Sequence, residues 1–207
     1  KGEIERALNW NNLTEETEQH LLSVAQETDR MHQIIDQLML LARFDAGQAS
    51  HEFVLLNLSE LLEDMAEDID LLVTARDLKV RAEITDGIRV HGDPGHLRRL
   101  FRNLFTNAVK YNEPAGHIHY RLSRTSNRII FEISNSGPLI PSALSEHIFE
   151  RFFQSDQSHS RQGSGLGLSL CQEIVHAHGG QINLSPDTAH GNCFVVELPP
   201  AEPGPLA

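Results

Sequence analysis

Residues 102–112 read RNLFTNAVKYN, and this stretch inside a predicted helix decides how the rest of the chain is interpreted. Asn103 and Asn107 are four residues apart, so their amide groups project from one face of the helix, and Lys110 follows within a turn. Carboxamide oxygens suit Mg²⁺, which takes its remaining ligands from water and phosphate, and a lysine holds phosphate as a point charge. The stretch is a candidate metal and phosphate site, although a solvent-facing helix with incidental amides explains this motif alone equally well.

A second candidate site is the glycine-rich sequence GSGLGL at residues 163–168, which opens another predicted helix. The glycines at alternate positions permit positive φ and close backbone approach, and a helix N-terminus offers N–H groups to an anion. The polar, serine-rich residues 154–162 that precede it are predicted to form a lid that orders over a bound nucleotide. A dinucleotide fold is not indicated, because no strand leads directly into the glycines.

Two more segments lie between these motifs. Residues 135–141, NSGPLIP, directly follow a predicted strand, where Asn135 offers an acceptor to the exocyclic amine of adenine and Gly137 makes room for the base. A simple turn is the alternative interpretation. Residues 148–153, IFERFF, are apolar and aromatic, are expected to pack under the lid, and carry Arg151 as a cation for phosphates.

The composition argues against some classes of protein. A formal net charge of −12 argues against nucleic acid as the main partner, because the phosphate backbone demands a basic face. The longest apolar runs, such as Leu38–Ala42, are far shorter than the ~18–20 residues that a membrane span requires. Cys171 and Cys193 lie in apolar contexts without metal-ligand spacing, which favours small core residues in a reducing compartment.

The N-terminal region predicts a helical hairpin. Residues 3–11 are predicted to be the last turns of one helix and Glu15–Asp45 a second helix capped by Thr14. The second helix carries a heptad stripe: Leu21, Val24, Thr28, Met31, Ile35, Leu38 and Ala42. Because one hairpin buries so narrow a seam poorly, we expect a homodimer through residues 1–46 that forms a four-helix bundle. A monomeric hairpin packed on the following domain is the alternative.

After a linker at residues 47–52 the pattern becomes mixed. Strands, helices and hairpins follow one another over residues 53–199, which predicts an α+β fold, a two-layer α/β sandwich with helices on one face of the sheet. Strands are expected at 78–84 and 88–91, separated by a turn. Residues 200–207 form a polar, proline-rich tail.

The order of the four motifs resembles the catalytic domain of sensor histidine kinases. An asparagine helix, Asn-Ser-Gly after a strand, Phe-Glu-Arg-Phe and Gly-x-Gly-Leu-Gly-Leu occur in the order of the family's N box, first glycine box, F box and second glycine box. Upstream, residues 29–48, DRMHQIIDQLMLLARFDAGQ, resemble the second helix of the dimerisation and phosphotransfer domain. The resemblance covers residues 1–199 and implies the ATPase fold that histidine kinases share with gyrase and heat-shock chaperones.

The resemblance also implies a site for ATP and Mg²⁺. By matching position, the family's nucleotide-binding residues are Asn103, Asn107, Lys110, Tyr111, Asn135, Gly137, Arg151, Gly163, Gly165, Leu166, Gly167 and Leu168. Among them, Asn107 is expected to be the main Mg²⁺ ligand, Tyr111 to flank the nucleotide, and Asn135 to read adenine. The family transfers the γ-phosphoryl group of ATP to a histidine and then to an aspartate of a response regulator. Its members imply a membrane-anchored parent protein, of which this chain is the cytoplasmic portion.

Three positions depart from the family's pattern. Asn135 stands where aspartate is usual, so the adenine amine meets an uncharged acceptor, about 1 kcal/mol weaker; some members that resemble metal-responsive kinases share this asparagine. Leu139 replaces a glycine of the first glycine box. Gln154 replaces an arginine that often follows the F box, which removes one phosphate contact.

The phosphoacceptor histidine is the fourth departure. The family places it in an H-E-x-x-x-x-P motif, and none of the twelve histidines of this chain has that context. His51 precedes Glu52 but falls in the linker, and His32 lies on the second helix. We therefore expect the acceptor to lie upstream of residue 1.

Two other functions remain open at this stage. An ATP-hydrolysing clamp of the same fold would carry a glutamate as general base one turn before the metal-binding asparagine, where this chain has Asn103. A degenerate kinase that only dimerises and docks a response regulator is favoured by Asn135, Leu139 and Gln154. Binding of ATP distinguishes the docking module from the kinase.

Overall fold

The computed structural model describes residues 14–49, 52–65, 69–70, 73–74, 76–154, 163–187 and 191–201. The chain divides into two compact units, Lys1–Ala49 and Ser50–Ala207. The predicted helix at 3–11 and most of the predicted lid and tail lie outside the described residues.

In the described part of the first unit a long helix, α1, runs over Glu15–Asp45. The hydroxyl of Thr14 accepts a hydrogen bond from the backbone N–H of Thr17 at 3.3 Å, which satisfies one unpaired donor of the first turn. The chain leaves the helix through Gly47, whose φ of +62° is the left-handed conformation that glycine adopts without strain. The predicted cap and helix are both present.

The second unit is built on a five-stranded sheet and on helices that pack against it. Its described elements include β1 (Val54–Asn57), α2 (Leu58–Asp64), β2 (Lys79–Ile84), β3 (Arg89–Gly92), α3 (Pro94–Lys110), β4 (His117–Arg124), β5 (Ile129–Asn135), α4 (Gly167–Ala177), β6 (Gln181–Asp187) and β7 (Gly191–Leu198). Two 3₁₀ turns, Ser142–Leu144 and His147–Phe149, lie between β5 and α4. Among the described residues, no helix is long and apolar enough to cross a membrane.

The sheet has the strand order β2-β4-β5-β7-β6, with β2 parallel to β4 and every other pair antiparallel. The strands on either side of the turn at Asp86 do not form a hairpin, because β3 pairs with β1 in a separate two-stranded sheet. Ser59 explains this separation: its buried hydroxyl donates to Thr85 O at 2.8 Å and accepts from Ile88 N at 3.1 Å. The carbonyl of Thr85 and the N–H of Ile88 are thus satisfied by a side chain, while Thr85 N donates to Leu122 O of the neighbouring strand at 3.0 Å.

The helices α3 and α4 cover one face of this sheet. The apolar face of α3 is buried throughout: Leu97, Leu100, Phe101, Leu104, Phe105, Ala108 and Val109. Phe101 meets Phe131 of β5 edge to face at 4.8 Å between ring centroids, and Phe105 meets Tyr120 of β4 at 4.9 Å. Such pairs contribute about 0.5–1.5 kcal/mol beyond their buried area. The predicted two-layer α/β sandwich is confirmed.

Cys171 of α4 is a core residue of this layer. Its side chain is fully buried, and this burial raises the pKa of the thiol to about 12. The sulfur therefore remains an uncharged thiol at neutral pH, in agreement with the interpretation as a small core residue rather than a reactive group.

The start of α3 and the end of α4 meet at a buried polar corner. Asp93 caps α3 by accepting from the backbone N–H of His96 at 3.0 Å and from that of Glu52 at 3.1 Å. Its own N–H donates to Nε2 of His178 at 3.0 Å, while Nδ1 of His178 faces the carbonyl oxygen of Ile174 at 2.7 Å. Both contacts are satisfied together only by the neutral imidazole protonated on Nδ1. This corner fixes where α3 begins.

Candidate functional site

The polar face of α3 presents the first group of predicted site residues. Asn103 and Asn107 are both half-buried on this helix. The amide nitrogen of Asn103 donates to the carbonyl oxygen of Gly167 at 3.4 Å, which ties α3 to the first residue of α4. Asn103 therefore lies at the side of the helix that the second glycine box approaches, and Asn107 follows one turn later on the same face of α3.

Lys110, at the last turn of α3, lies against two other predicted site residues, Tyr111 and Gly163. Its Nζ donates to the hydroxyl oxygen of Tyr111 at 3.0 Å and lies 4.7 Å from the centroid of the same ring. A Cβ added to Gly163 would overlap Lys110 Nζ. Lys110 and Gly163 are 53 positions apart in sequence but lie side by side in the fold. Because glycine has no side chain, it does not cover the ammonium group of Lys110.

The second glycine box is held against the F box by its backbone. Gly165 has φ of +70°, and its carbonyl accepts from the N–H of Phe152 at 2.9 Å. A Cβ at Gly165 would lie 2.6 Å from the carbonyl carbon of Phe152, so only glycine fits this approach. Gln154 donates from its amide to Gly163 O at 2.7 Å. This bond, which the sequence did not reveal, gives Gln154 a structural task at the position of the family's arginine.

The remaining residues of this region differ in exposure. Leu166 is fully buried directly before α4, while Leu168 in its first turn is half-buried. Arg151 is exposed in the F box. The leucines thus anchor the start of α4, whose first N–H groups are those predicted to meet an anion.

The end of β5 supplies the other side of the site. Asn135 is 3% exposed, and its Nδ2 donates to the carbonyl oxygen of Tyr111 at 3.3 Å. This bond fixes the orientation of the amide, because a carbonyl can only accept. Oδ1 is the acceptor that remains. Gly137 packs on the same carbonyl, since a Cβ there would overlap Tyr111 O. The close approach of the Tyr111 main chain therefore requires glycine at position 137, and room for a nucleotide base is a second possible reason for it.

A buried hydrogen-bond network, which the sequence did not predict, lies next to the residues that follow β5. Asn112 donates to His117 O at 3.0 Å and accepts from the hydroxyl of Ser136 at 2.8 Å, while that hydroxyl accepts from His117 N at 2.8 Å. Asn112 is 5% exposed. Its only sequence signal is its place at the end of the asparagine helix, which also suits an ordinary cap.

These residues fit a magnesium nucleotide. One cation, a fixed amide acceptor and glycines without room for a Cβ surround one end of α3. Among the described residues, no group of three or more His, Cys, Asp or Glu is placed to hold a metal ion. A Mg²⁺ ion here would depend on asparagine oxygens together with phosphate and water, which is the ligand set that this hard ion accepts.

The fold and this arrangement define a nucleotide-binding α/β sandwich. Residues 92–202 match the family of histidine kinase-, DNA gyrase B- and HSP90-like ATPases, and the chain belongs to that family. Its relatives identify the second unit further, as the ATP-binding catalytic domain of a sensor histidine kinase.

Two curated relatives illustrate the similarity. The chain is 32% identical over 200 residues to sensor histidine kinase CusS of Escherichia coli K12, which covers 95% of this chain and 41% of CusS. It is 34% identical over 176 residues to adaptive-response sensory kinase SasA of a Synechococcus species, covering 84% of this chain and 47% of SasA. The chain therefore spans less than half the length of these relatives.

A solved structure agrees with the sequence relatives. The mycobacterial sensor histidine kinase MprB is 28% identical with a TM-score of 0.64, over 73% of this chain and 99% of that chain. The expected family and fold are confirmed.

Proposed function

We propose that the second unit binds Mg–ATP between α3, the end of β5 and the second glycine box. The observation that carries this proposal is the position of Lys110, whose ammonium group lies against Gly163 and beside Tyr111. A cation held at a glycine-lined helix start suits the phosphates of a nucleotide.

The proposal assigns the predicted site residues to the metal, the phosphates and the base, with Tyr111 flanking the nucleotide and Gly137 making room for the base. Asn107, with Asn103 beside it, would hold the metal, which supplies charge neutralisation on the phosphoryl group when bound. Lys110 and Arg151 hold phosphate oxygens, and Oδ1 of Asn135 accepts from the adenine amine. The glycines and leucines of residues 163–168 shape the phosphate loop.

Phosphoryl transfer is favoured over hydrolysis. A water-activating base is needed one turn before Asn107, but Asn103 has no basic group, and its amide donates to Gly167 O. We infer that in the whole protein the γ-phosphoryl group passes to a histidine outside this chain. It then passes to an aspartate of a response regulator.

The wider setting of the protein is also part of the proposal. We infer a homodimer through residues 1–46, a membrane-anchored parent protein and a cytoplasmic position for this chain. The names of the relatives as sensor kinases support this setting. A degenerate, purely docking module is the competing function.

Calorimetric titration of the 207-residue chain with ATP, with and without Mg²⁺, tests the site. We expect Mg²⁺ to strengthen ATP binding, and Asn107→Ala to abolish that gain while leaving metal-free binding within about twofold, since only a metal ligand is lost. Thr106→Ala, on the exposed face of the same helix, is the matched control. No detectable binding at millimolar ATP would favour the docking module. A labelled-phosphate assay on the whole protein then tests transfer.

A further inference from the structure

Asn192, on β7, is a buried polar residue outside every predicted motif. Its side chain is 5% exposed and lies in direct register with Asn135 of the neighbouring strand β5. A buried amide that is not paired costs about 1–3 kcal/mol, so its partners indicate its task.

Both ends of this amide bond the loop that follows β5. Nδ2 of Asn192 donates to Pro138 O at 2.8 Å, and Oδ1 accepts from Ile140 N at 2.8 Å. Donor and acceptor serve backbone groups two residues apart, as a peptide group of a neighbouring strand would. Leu139 between them is 61% exposed. One side chain thus takes the place of a strand partner for this loop.

The same loop carries the base end of the proposed nucleotide site. At its start, Ser136 is held by Asn112, and Gly137 packs on the carbonyl of Tyr111 beside the amide of Asn135. At its end, the two bonds to Asn192 hold the backbone at Pro138 and at Ile140. The loop is therefore fixed from both sides around the proposed adenine acceptor.

We propose that Asn192 is a positioning residue for adenine binding, which holds the loop 136–140 so that Asn135 and Gly137 keep their places. This inference rests on the proposed function, because it concerns the base end of that site. Asn192 itself lies behind the loop and acts through it. The two hydrogen bonds of Asn192 also hold the backbone on either side of Leu139, the residue that replaces a glycine of the first glycine box.

Asn192→Asp separates positioning from simple packing. The carboxylate keeps the shape of the side chain and the acceptor for Ile140 N, but it has no donor for Pro138 O. We expect ATP to bind about tenfold more weakly at pH 8, the effect of one lost bond to a buried group. Burial beside the carbonyl oxygen of Pro138 should raise the pKa of this carboxyl, so more of it is protonated and donates again at pH 5. The loss of affinity relative to the unmodified chain should therefore be smaller at pH 5 than at pH 8.

A comparison of the affinities for ATP and ADP shows which end of the nucleotide site a substitution affects. Loss at the base end weakens ATP and ADP equally, so Asn192→Asp should leave their affinity ratio unchanged. Lys110→Ala, at the phosphate end, should change that ratio. Asn183→Asp, which adds the same charge at an exposed position of β6, should change neither affinity. Asn192→Ser provides a second variant, and it should show a loss that does not depend on pH.

The outcomes are distinct. Unchanged ATP affinity of Asn192→Asp at pH 8, a loss confined to ATP over ADP, or a loss of the same size at pH 5 and pH 8 would each overturn the role of Asn192. Failure of the unmodified chain to bind either nucleotide would instead overturn the proposed function on which that role rests.

Discussion

At the residue scale, the amide of Asn135 combines a bond within the fold with its proposed role in nucleotide binding. Nδ2 is taken by Tyr111 O, and a flipped amide would set two oxygens against each other. An aspartate in the same orientation would direct a carboxylate oxygen at that carbonyl. The asparagine therefore suits the surroundings that this chain provides, while its oxygen still offers an acceptor to an amine.

Replacement of Asn135 by alanine should weaken both the fold and the site. The carbonyl of Tyr111 loses its donor, so we expect a loss of about 1–2 kcal/mol in the free energy of unfolding. ATP should bind about tenfold more weakly, since the adenine acceptor is removed. Urea unfolding and calorimetric titration measure the two effects. Asn127→Ala, in the exposed turn between β4 and β5, is the control. Unchanged ATP affinity would refute the assigned role of Asn135.

The sequence predicted the residues that come together at the candidate site better than it predicted the hydrogen bonds that hold their loops in place. Lys110, Gly163 and Asn135 follow from motifs whose chemistry is visible in the residue types alone. The bond from Gln154 to Gly163 and the bonds of Asn192 depend on chain paths that close only after folding. A lone glutamine or asparagine carries no periodicity, so its partner cannot be deduced from local sequence.

At the element scale, Asp93 shows how one carboxylate organises the start of a helix. Burial alone would raise the pKa of Asp93, but the backbone N–H groups of His96 and Glu52, with the charge on His96, outweigh it, and the pKa is lowered from its ordinary 3.8. A lowered pKa in the folded state means that the carboxylate stabilises the fold above about pH 4. This contribution is lost as the pH falls through the lowered value.

Asp93→Ala should therefore destabilise the second unit in a pH-dependent way. We expect a loss of about 1–2 kcal/mol at pH 7, the usual effect of removing a helix cap, because α3 loses its acceptor. The difference from the unmodified chain should narrow at pH 3, where the carboxylate is increasingly protonated. Urea unfolding at both pH values measures it. Asp86→Ala, in the exposed turn after β2, should show no such dependence, and a constant difference for Asp93→Ala would contradict the linkage.

Elements whose signals are local were predicted well, and pairings were not. Thr14 is a cap in the structure, as the sequence predicts, because a cap depends on residues within one turn. The strands β2 and β3 were located, but their partners depend on distant strands and on the hydroxyl of Ser59. Sequence pattern gives the length and face of a strand, whereas order in a sheet is a property of the whole chain.

At the scale of the whole molecule, the described helix of the first unit carries an apolar stripe with exposed side chains. On α1, the side chains of Val24, Met31 and Ile35 are 54%, 52% and 53% exposed. They lie in the heptad stripe predicted from sequence, and a second copy of the helix would remove them from water. This exposure supports the proposed homodimer.

Ile35→Lys should shift the chain from dimer to monomer. A charge placed in the seam must lose water without a partner, so we expect the dimer to dissociate at least roughly tenfold more readily. Light scattering coupled to size-exclusion chromatography across a dilution series measures this. Gln33→Lys, an exposed position outside the stripe, is the charge-matched control.

ATP affinity should be the same in both variants, because the nucleotide site is built within a separate compact unit. A monomeric unmodified chain at every concentration would contradict the proposed dimer, whereas loss of ATP binding in Ile35→Lys alone would show that the two units depend on each other.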